Sequence, residues 1–187
     1  MARRGVRRQA ERDWRRLTEE FSTESDRAAA LVAAALLDEN LESLLRAYMV
    51  SDQDEVEHLL GTSLQSLGAR LRACYCLGLI SHDEADDLRV IKTVRNHFAH
   101  NLHVSFDDPT VVKNCARFKL VHRVVPEGTE LSPRRALEQT ACMLSVLLVR
   151  RRLEIGPHRR LVRPELTDLE IESQCPLHSN DQNPATN

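Results

Sequence analysis

The segment Arg95-Asn96-His97-Phe98-Ala99-His100 contains the residue types from which a phosphate-handling site is built. A guanidinium such as that of Arg95 binds phosphate through a fork of donors, and Asn96 adds an amide beside it. A histidine such as His100 can give or take a proton near neutral pH. The same residues can instead form a structural network in which a carboxylate neutralises the arginine. Which of the two holds decides what the chain does.

The helical period over residues 82–100 puts Arg95 on the apolar face of that helix, with Leu88 and Ile91. A buried guanidinium without a partner would be strongly destabilising. We therefore predict a structural ion pair between Arg95 and a carboxylate of the first long helix. The candidates are Asp38, Glu39 and Glu42, of which Glu39 is preferred. If the pair is incompletely covered, the same arginine can hold a phosphate.

His100 is expected at the C-terminal end of this helix, where two roles are open. The helix dipole stabilises a protonated imidazole, which suits a general acid or base. A terminal histidine can equally cap the last carbonyl groups. His97 is expected on the solvent side. Because no carboxylate lies among these histidines, we expect no metal ion, and no motif indicates a cofactor.

The composition predicts an all-α protein. Of 187 residues, 42% are hydrophobic and only 4% are aromatic, and Ala and Leu dominate. Helical periods and capping signals predict four long helices over 24–49, 63–79, 82–100 and 133–153. With shorter ones they would form a bundle of six to seven helices. Residues 119–131 are valine-rich and are expected to be extended or to form a small hairpin.

Three regions are expected along the chain. Residues 1–22 form a basic arm with a short helix, residues 23–155 form the helical bundle, and the polar tail 156–187 is largely disordered. The two long apolar runs, residues 28–37 and 141–149, are too short to cross a bilayer and are expected to be core helices. No secretion signal follows the basic start. Of the five cysteines, Cys74, Cys76 and Cys142 lie in helical, largely apolar segments, which fits reduced, buried thiols. We therefore expect a cytoplasmic protein without membrane contact.

The net charge of −2 hides a segregation of sign. Residues 1–16 and 146–163 are rich in arginine, whereas residues 17–145 and the tail 164–187 are acidic. Basic ends can contact the phosphates of DNA or RNA, although solvated helix faces would look the same. The nucleic-acid contact candidates are Arg3, Arg4, Arg7, Arg8, Arg150, Arg151 and Arg152.

Four short segments follow one another in a specific order and spacing. They are Leu37-Asp38-Glu39-Asn40-Leu41, residues 63–70, residues 77–81 and residues 94–100. Together they resemble the mannitol operon repressor (MtlR) family, over about 130 residues if 133–153 is included. The resemblance implies an all-helical transcriptional regulator without an evident helix-turn-helix. It also implies action through a protein partner, such as a transcription factor, at least as readily as through DNA. We expect a homodimer.

Arg95, Asn96 and His100 also match the short motif of HEPN domains, which are helical bundles that often dimerise. In the ribonucleases of that group, the resemblance implies metal-independent RNA cleavage in a cleft between two copies. Arg95 would hold the scissile phosphate, and His100 would move a proton to or from the 2′-oxygen or the leaving group.

The predicted burial of Arg95 favours a structural or regulatory use of the motif over catalysis. We therefore expect a mannitol repressor-like regulator that acts through protein contacts or nucleic acid. The alternative is a HEPN-type endoribonuclease, in which Arg95, Asn96 and His100 are catalytic.

Overall fold

A computed structural model describes residue 21 and residues 24–126 and 129–155 of the chain. In these ranges it contains seven helices and no strand, which confirms the predicted all-α class. The helices are α1 (Asp26–Tyr48), α2 (Gln53–Gly61), α3 (Leu67–Cys76), α4 (His82–His100), α5 (Pro109–Cys115), α6 (Leu120–Val124) and α7 (Pro133–Ile155).

Helix α4 begins at the capping box that the sequence predicts. Ser81 Oγ accepts the Glu84 N–H at 3.3 Å, and the Glu84 carboxylate accepts the Ser81 N–H at 2.6 Å. Two donors at the start of the helix are thereby satisfied, which places the Arg95 segment in its last turns.

Helix α3 is shorter than the predicted range 63–79. Ser66 caps its start by accepting the Ala69 N–H at 3.2 Å. Its end is closed by Gly78, whose φ of 70° is left-handed, and by a bond of 2.8 Å from the Leu79 N–H to the Cys74 carbonyl. The polar stretch before Ser66 is therefore a turn.

The expectation of an extended or hairpin segment over residues 119–131 is wrong at its start, where Leu120–Val124 form α6. No side chain of its own sequence caps this helix. The Asp87 carboxylate of α4 does so instead, accepting the N–H groups of Lys119 at 2.8 Å and Leu120 at 2.9 Å. A cap supplied by a distant residue leaves no local sequence signal.

The core lies between α1 and α7, the pair with the most extensive contact, and α3 and α4 also pack on α1. The buried face of α1 begins with Ala29, Ala30 and Ala33, small residues that permit close approach of a neighbouring helix. Helix α7 buries Leu137, Leu144 and Leu148 in the same core. The two long apolar runs are therefore core helices, as expected.

The segment before α1 is tied to the bundle by one arginine of α7. Arg134 donates to the Phe21 and Glu24 carbonyls at 2.8 and 2.7 Å and pairs with Asp26 and Glu138, each at 2.8 Å. Phe21 is buried, 1% exposed. Most of the predicted arm 1–22, and the whole of the predicted tail 156–187, lie outside the described residues.

Cys74, Cys115 and Cys142 are buried free thiols, and Cys76 is exposed, contrary to the apolar setting expected for it. Burial raises the pKa of Cys74 to about 12, with only a small opposing influence from Arg151, and raises that of Cys115 to about 12 as well. These two thiols are therefore unreactive. Across the described ranges, no helix combines the length and the apolar character that spanning a bilayer demands.

Candidate functional site

Arg95 is exposed, and the predicted ion pair with Glu39 is wrong. Its Nη1 donates to Asn96 Oδ1 at 3.1 Å, whereas Glu39 is exposed on α1. Within the ranges 24–126 and 129–155, no carboxylate lies within salt-bridge distance of Arg95. The guanidinium is therefore available to a ligand.

The helical period predicted the wrong environment for Arg95, because the buried stripe of α4 rotates along the length of the helix. In its second half the stripe consists of Val90, Ile91, Val94 and Phe98. At about 100° per residue, Arg95 lies at the edge of that stripe rather than on its centre line. Leu88, nearer the start of the helix, shifted the predicted centre towards Arg95. The helix edge carrying Arg95 faces the start of α3.

The ion pair that links neighbouring helices is made by Arg70 of α3. Its Nη1 lies 2.8 Å from Asp38 Oδ1, its Nη2 lies 2.6 Å from Glu42 Oε2, and its side chain is only 12% exposed. Glu42 also pairs with Arg46 at 2.7 Å. The structure thus contains an interhelical ion pair to two of the three candidate acids, Asp38 and Glu42, but the arginine is Arg70 and not Arg95. The spacing of Asp38 and Glu42, one helical turn apart, was the signal for it.

Arg95 lines an open groove of about 540 Å³ between α1, α3 and α4. The polar lining includes Lys92 and Asn96 of α4 and Ser66 at the start of α3. The acid in the groove is Asp38, which is paired with Arg70. The groove therefore presents two unneutralised cations, on Lys92 and Arg95, and is suited to an anion.

His100 is exposed at the end of α4 and lines a different cavity, of about 480 Å³, together with His97, His103 and Asp108. One chain therefore does not bring His100 and Arg95 into a common cleft. The Asn101 side chain donates to the His97 carbonyl at 2.9 Å, so it satisfies part of the helix end that His100 was considered to cap.

His97 was expected on the solvent side of α4, but it is half-buried. Its side chain is 26% exposed, and its Nε2 lies 3.5 Å from Asp108 Oδ1. The N–H of Thr110 chiefly holds the pKa of Asp108 below its usual value, and His97 contributes less. In the part of the chain that the structure describes, no group of three potential ligands could hold a metal ion.

Three of the seven nucleic-acid contact candidates, Arg150, Arg151 and Arg152, lie in the described ranges, and their environments differ. Arg151 donates to the buried Glu84 carboxylate at 3.0 and 3.1 Å, so it belongs to an internal ion pair and is not available to nucleic acid. Arg150 pairs with Glu154 at 2.9 Å near the surface, and Arg152 is half-buried. Arg3, Arg4, Arg7 and Arg8 lie outside the described residues.

The acidic side chains at the start of α4 do more than interact favourably with the helix dipole. Lys119 Nζ lies 3.2 Å from Asp83 and 2.6 Å from Asp86, and Arg123 also pairs with Asp83. The hydrogen bond from Lys119 lowers the pKa of both aspartates, and the bonds from Asp86 and Asp83 raise that of Lys119. This cluster fastens α6 to α4 and is structural.

Comparisons of the chain with protein families, with curated proteins and with solved structures find no significant match. The resemblance of the four segments to the mannitol repressor family, and that of Arg95, Asn96 and His100 to HEPN domains, therefore stay predictions. The candidate site is the exposed edge of α4, from the groove at Lys92 and Arg95 to the helix end at His100.

Proposed function

We propose that this chain is a cytoplasmic, homodimeric regulator of the mannitol repressor type that binds nucleic acid along the exposed edge of α4. The observation that carries this proposal is the exposed Arg95 guanidinium, which has no described carboxylate partner and lies three residues after Lys92. Arginine and lysine side chains of this kind bind backbone phosphates, which supply most of the affinity for nucleic acid.

Binding is preferred over catalysis because Arg95 and His100 open into separate cavities of one chain. A catalytic site needs the phosphate-binding group and the proton-transfer group within reach of one reacting phosphate. Binding needs only that each cation reach some phosphate along the strand.

The test measures the affinity for RNA and for duplex DNA by fluorescence anisotropy between 50 and 200 mM salt, a range over which phosphate contacts weaken measurably. Arg95→Gln should weaken binding at every sequence and reduce the salt slope by about 0.7 to 0.9, the value of one lost phosphate contact. Arg117→Gln is the matched control, because Arg117 is also exposed and also donates to an asparagine, Asn114, at 3.4 Å.

Equal affinities of the parent and Arg95→Gln would contradict the proposal for nucleic acid. Regulation through a protein partner would then be the remaining form of the hypothesis. Loss of affinity in both Arg95→Gln and Arg117→Gln would mean a diffuse charge effect rather than a site.

A second candidate function is a HEPN-type, metal-independent endoribonuclease. The exposure of both Arg95 and His100 on one helix favours it, because it removes the structural role expected for Arg95. Arg95 would hold the scissile phosphate, and His100, with Asn96 beside the phosphate, would transfer a proton at the 2′-oxygen or the leaving group. A second copy of the chain would have to complete the cleft.

RNA incubated with the protein in EDTA tests this candidate directly. Cleavage that His100→Ala abolishes and that His103→Ala retains would overturn the binding-only proposal. His103 is the matched control because it is an exposed histidine of the same cavity. An intact RNA substrate after long incubation with the parent would eliminate the nuclease.

A further inference from the structure

The groove between α1, α3 and α4 collects positive charge that the described fold does not neutralise. Lys92 and Arg95 are exposed, lie three residues apart on α4, and both line the groove. Like charges at this spacing on a helix repel each other. Neither is within salt-bridge distance of a carboxylate in the described ranges. Their placement weakens the folded state slightly unless an anion lies between them.

Gly68 makes room for the Lys92 ammonium over the first turn of α3. A Cβ atom at residue 68 would lie 2.7 Å from Lys92 Nζ and 3.3 Å from its Cε. A helix start carries partial positive charge, so a cation placed there is unfavourable on its own. The Ser66 cap uses the Ala69 N–H and leaves the amides of Leu67 and Gly68 without a described acceptor. An anion in the groove would meet donors from both helices.

The groove has the volume and the mixed polar and apolar lining of a small-molecule site. Its volume of about 540 Å³ lies within the common range for ligand pockets. Leu31 and Ala34 of α1 and Leu67 of α3 supply alkyl groups to its lining. Asp38 would repel an anion, but its Oδ1 lies 2.8 Å from Arg70 Nη1, and this ion pair offsets part of its charge. Cations on one wall and alkyl groups on another suit a ligand with an anionic and an apolar part.

We infer that this groove binds a small phosphate monoester, with the phosphate held by Lys92 and Arg95 and the carbon part on the apolar wall. A monoester carries close to two negative charges at neutral pH, which matches two cations better than the single charge of a phosphodiester does. The inference goes beyond the proposed function, because such a ligand would bind whether or not nucleic acid does. In a regulator, it would be the effector.

Isothermal titration calorimetry of the full chain with phenyl phosphate, inorganic phosphate and phenol tests the inference. Phenyl phosphate should bind, and should exceed each of the other two by about tenfold, since only it fills both parts of the groove. Lys92→Gln and Arg95→Gln should each weaken it by about tenfold. Gly68→Ala keeps both charges but displaces the Lys92 ammonium, so it should weaken binding as well.

The controls are Arg117→Gln and Lys113→Gln, which each remove one exposed positive charge away from the groove and should leave the affinity unchanged. Absence of binding to the parent at about 10 mM phenyl phosphate, or equal losses in the controls, would overturn the inference. If Lys92→Gln fails to fold by circular dichroism, Gly68→Ala and Arg95→Gln still decide it.

Two further titrations, on the same preparations, separate this ligand from nucleic acid. A 5′-phosphorylated RNA that binds far more tightly than both phenyl phosphate and the 5′-hydroxyl RNA would assign the groove to an RNA end and overturn the small-ligand inference. Phenyl phosphate binding with no RNA binding would support the inference and contradict the proposed function. A failure of the small-ligand inference and a failure of the proposed function therefore give different results.

Discussion

At the scale of single residues, Glu84 has two functions in this molecule. It accepts the Ser81 N–H at the start of α4 and receives both Nη groups of Arg151 from α7, while it is only 3% exposed. Burial alone would raise the pKa of Glu84, but the hydrogen bonds from Arg151 and Ser81 outweigh it and lower the pKa. One carboxylate thus caps a helix and joins it to the core.

Arg151→Ala should destabilise the fold by about 3 kcal/mol, because it leaves a buried carboxylate without its charge partner. Urea unfolding measures the change. Arg150→Ala is the neighbouring control: it breaks the exposed pair with Glu154, where 66% of the Arg150 side chain is accessible, and should cost less than about 1 kcal/mol. Similar losses in the two variants would contradict the role given to Glu84.

The acid sensitivity of the fold should come partly from Glu84. Its folded-state pKa is below the ordinary value of 4.5, so its contribution to stability is present above pH 4.5 and is lost as the pH falls through the lower, folded-state value. Thermal unfolding of the parent and of Arg151→Ala between pH 3 and pH 7 checks this. The difference in stability should be larger at pH 7 and should shrink on acidification; a constant difference would argue against it.

Single residues also show where the sequence was sufficient and where it was not. The capping box at Ser81 and Glu84 was predictable because both partners lie within four positions and the motif is local. The environment of Arg95 was not, because one step along a helix turns a side chain by about 100° and the stripe itself rotates. The pairing of Arg70 required knowledge of which helices are neighbours.

At the scale of elements, the short helix α6 depends on residues outside it. Asp87 is fully buried and accepts two backbone N–H groups at the start of α6. Burial is the main influence on the pKa of Asp87 and raises it. The hydrogen bonds from the two backbone N–H groups oppose this rise without cancelling it. The valines of residues 120–124 predict an extended segment, whereas in the structure a carboxylate of α4 caps these residues as a helix. Local propensity is therefore overridden by a tertiary cap.

Asp87→Ala should destabilise the protein by about 2 to 3 kcal/mol, since it leaves the Lys119 and Leu120 amides without an acceptor in a buried place. Hydrogen exchange measured by mass spectrometry should show faster exchange confined largely to the segment around residues 117–126. Asp86→Ala removes a half-buried side-chain partner of Lys119 and is the control, with a smaller global effect, because both backbone amides keep their acceptor. Unchanged protection of α6 in Asp87→Ala would refute the cap.

At the scale of the whole molecule, the helical class was predictable because every long segment repeats its apolar residues at helical spacing, and α1 and α7 are apolar on several sides. The groove was not predictable, because its walls come from Leu31 on α1, Leu67 on α3 and Lys92 on α4, residues far apart along the chain. Sequence periodicity identifies helices and their buried faces. It carries little information about the space left between them.

The separation of Arg95 and His100 into two cavities has a consequence for the nuclease candidate at the level of the assembly. If the chain cleaves RNA, each site must combine Arg95 of one copy with His100 of the other. Arg95→Gln and His100→Ala would each be inactive alone, but a mixed dimer would keep one site with both groups intact. An equimolar mixture of the two variants, refolded together, should therefore regain about a quarter of the parent activity, because half of the dimers are mixed and each has one working site of two. A fluorescent RNA substrate in EDTA measures it, with each variant refolded alone as the control. No recovery in a mixture whose subunits have exchanged would place both groups in a site within one chain, which the geometry of a single copy opposes.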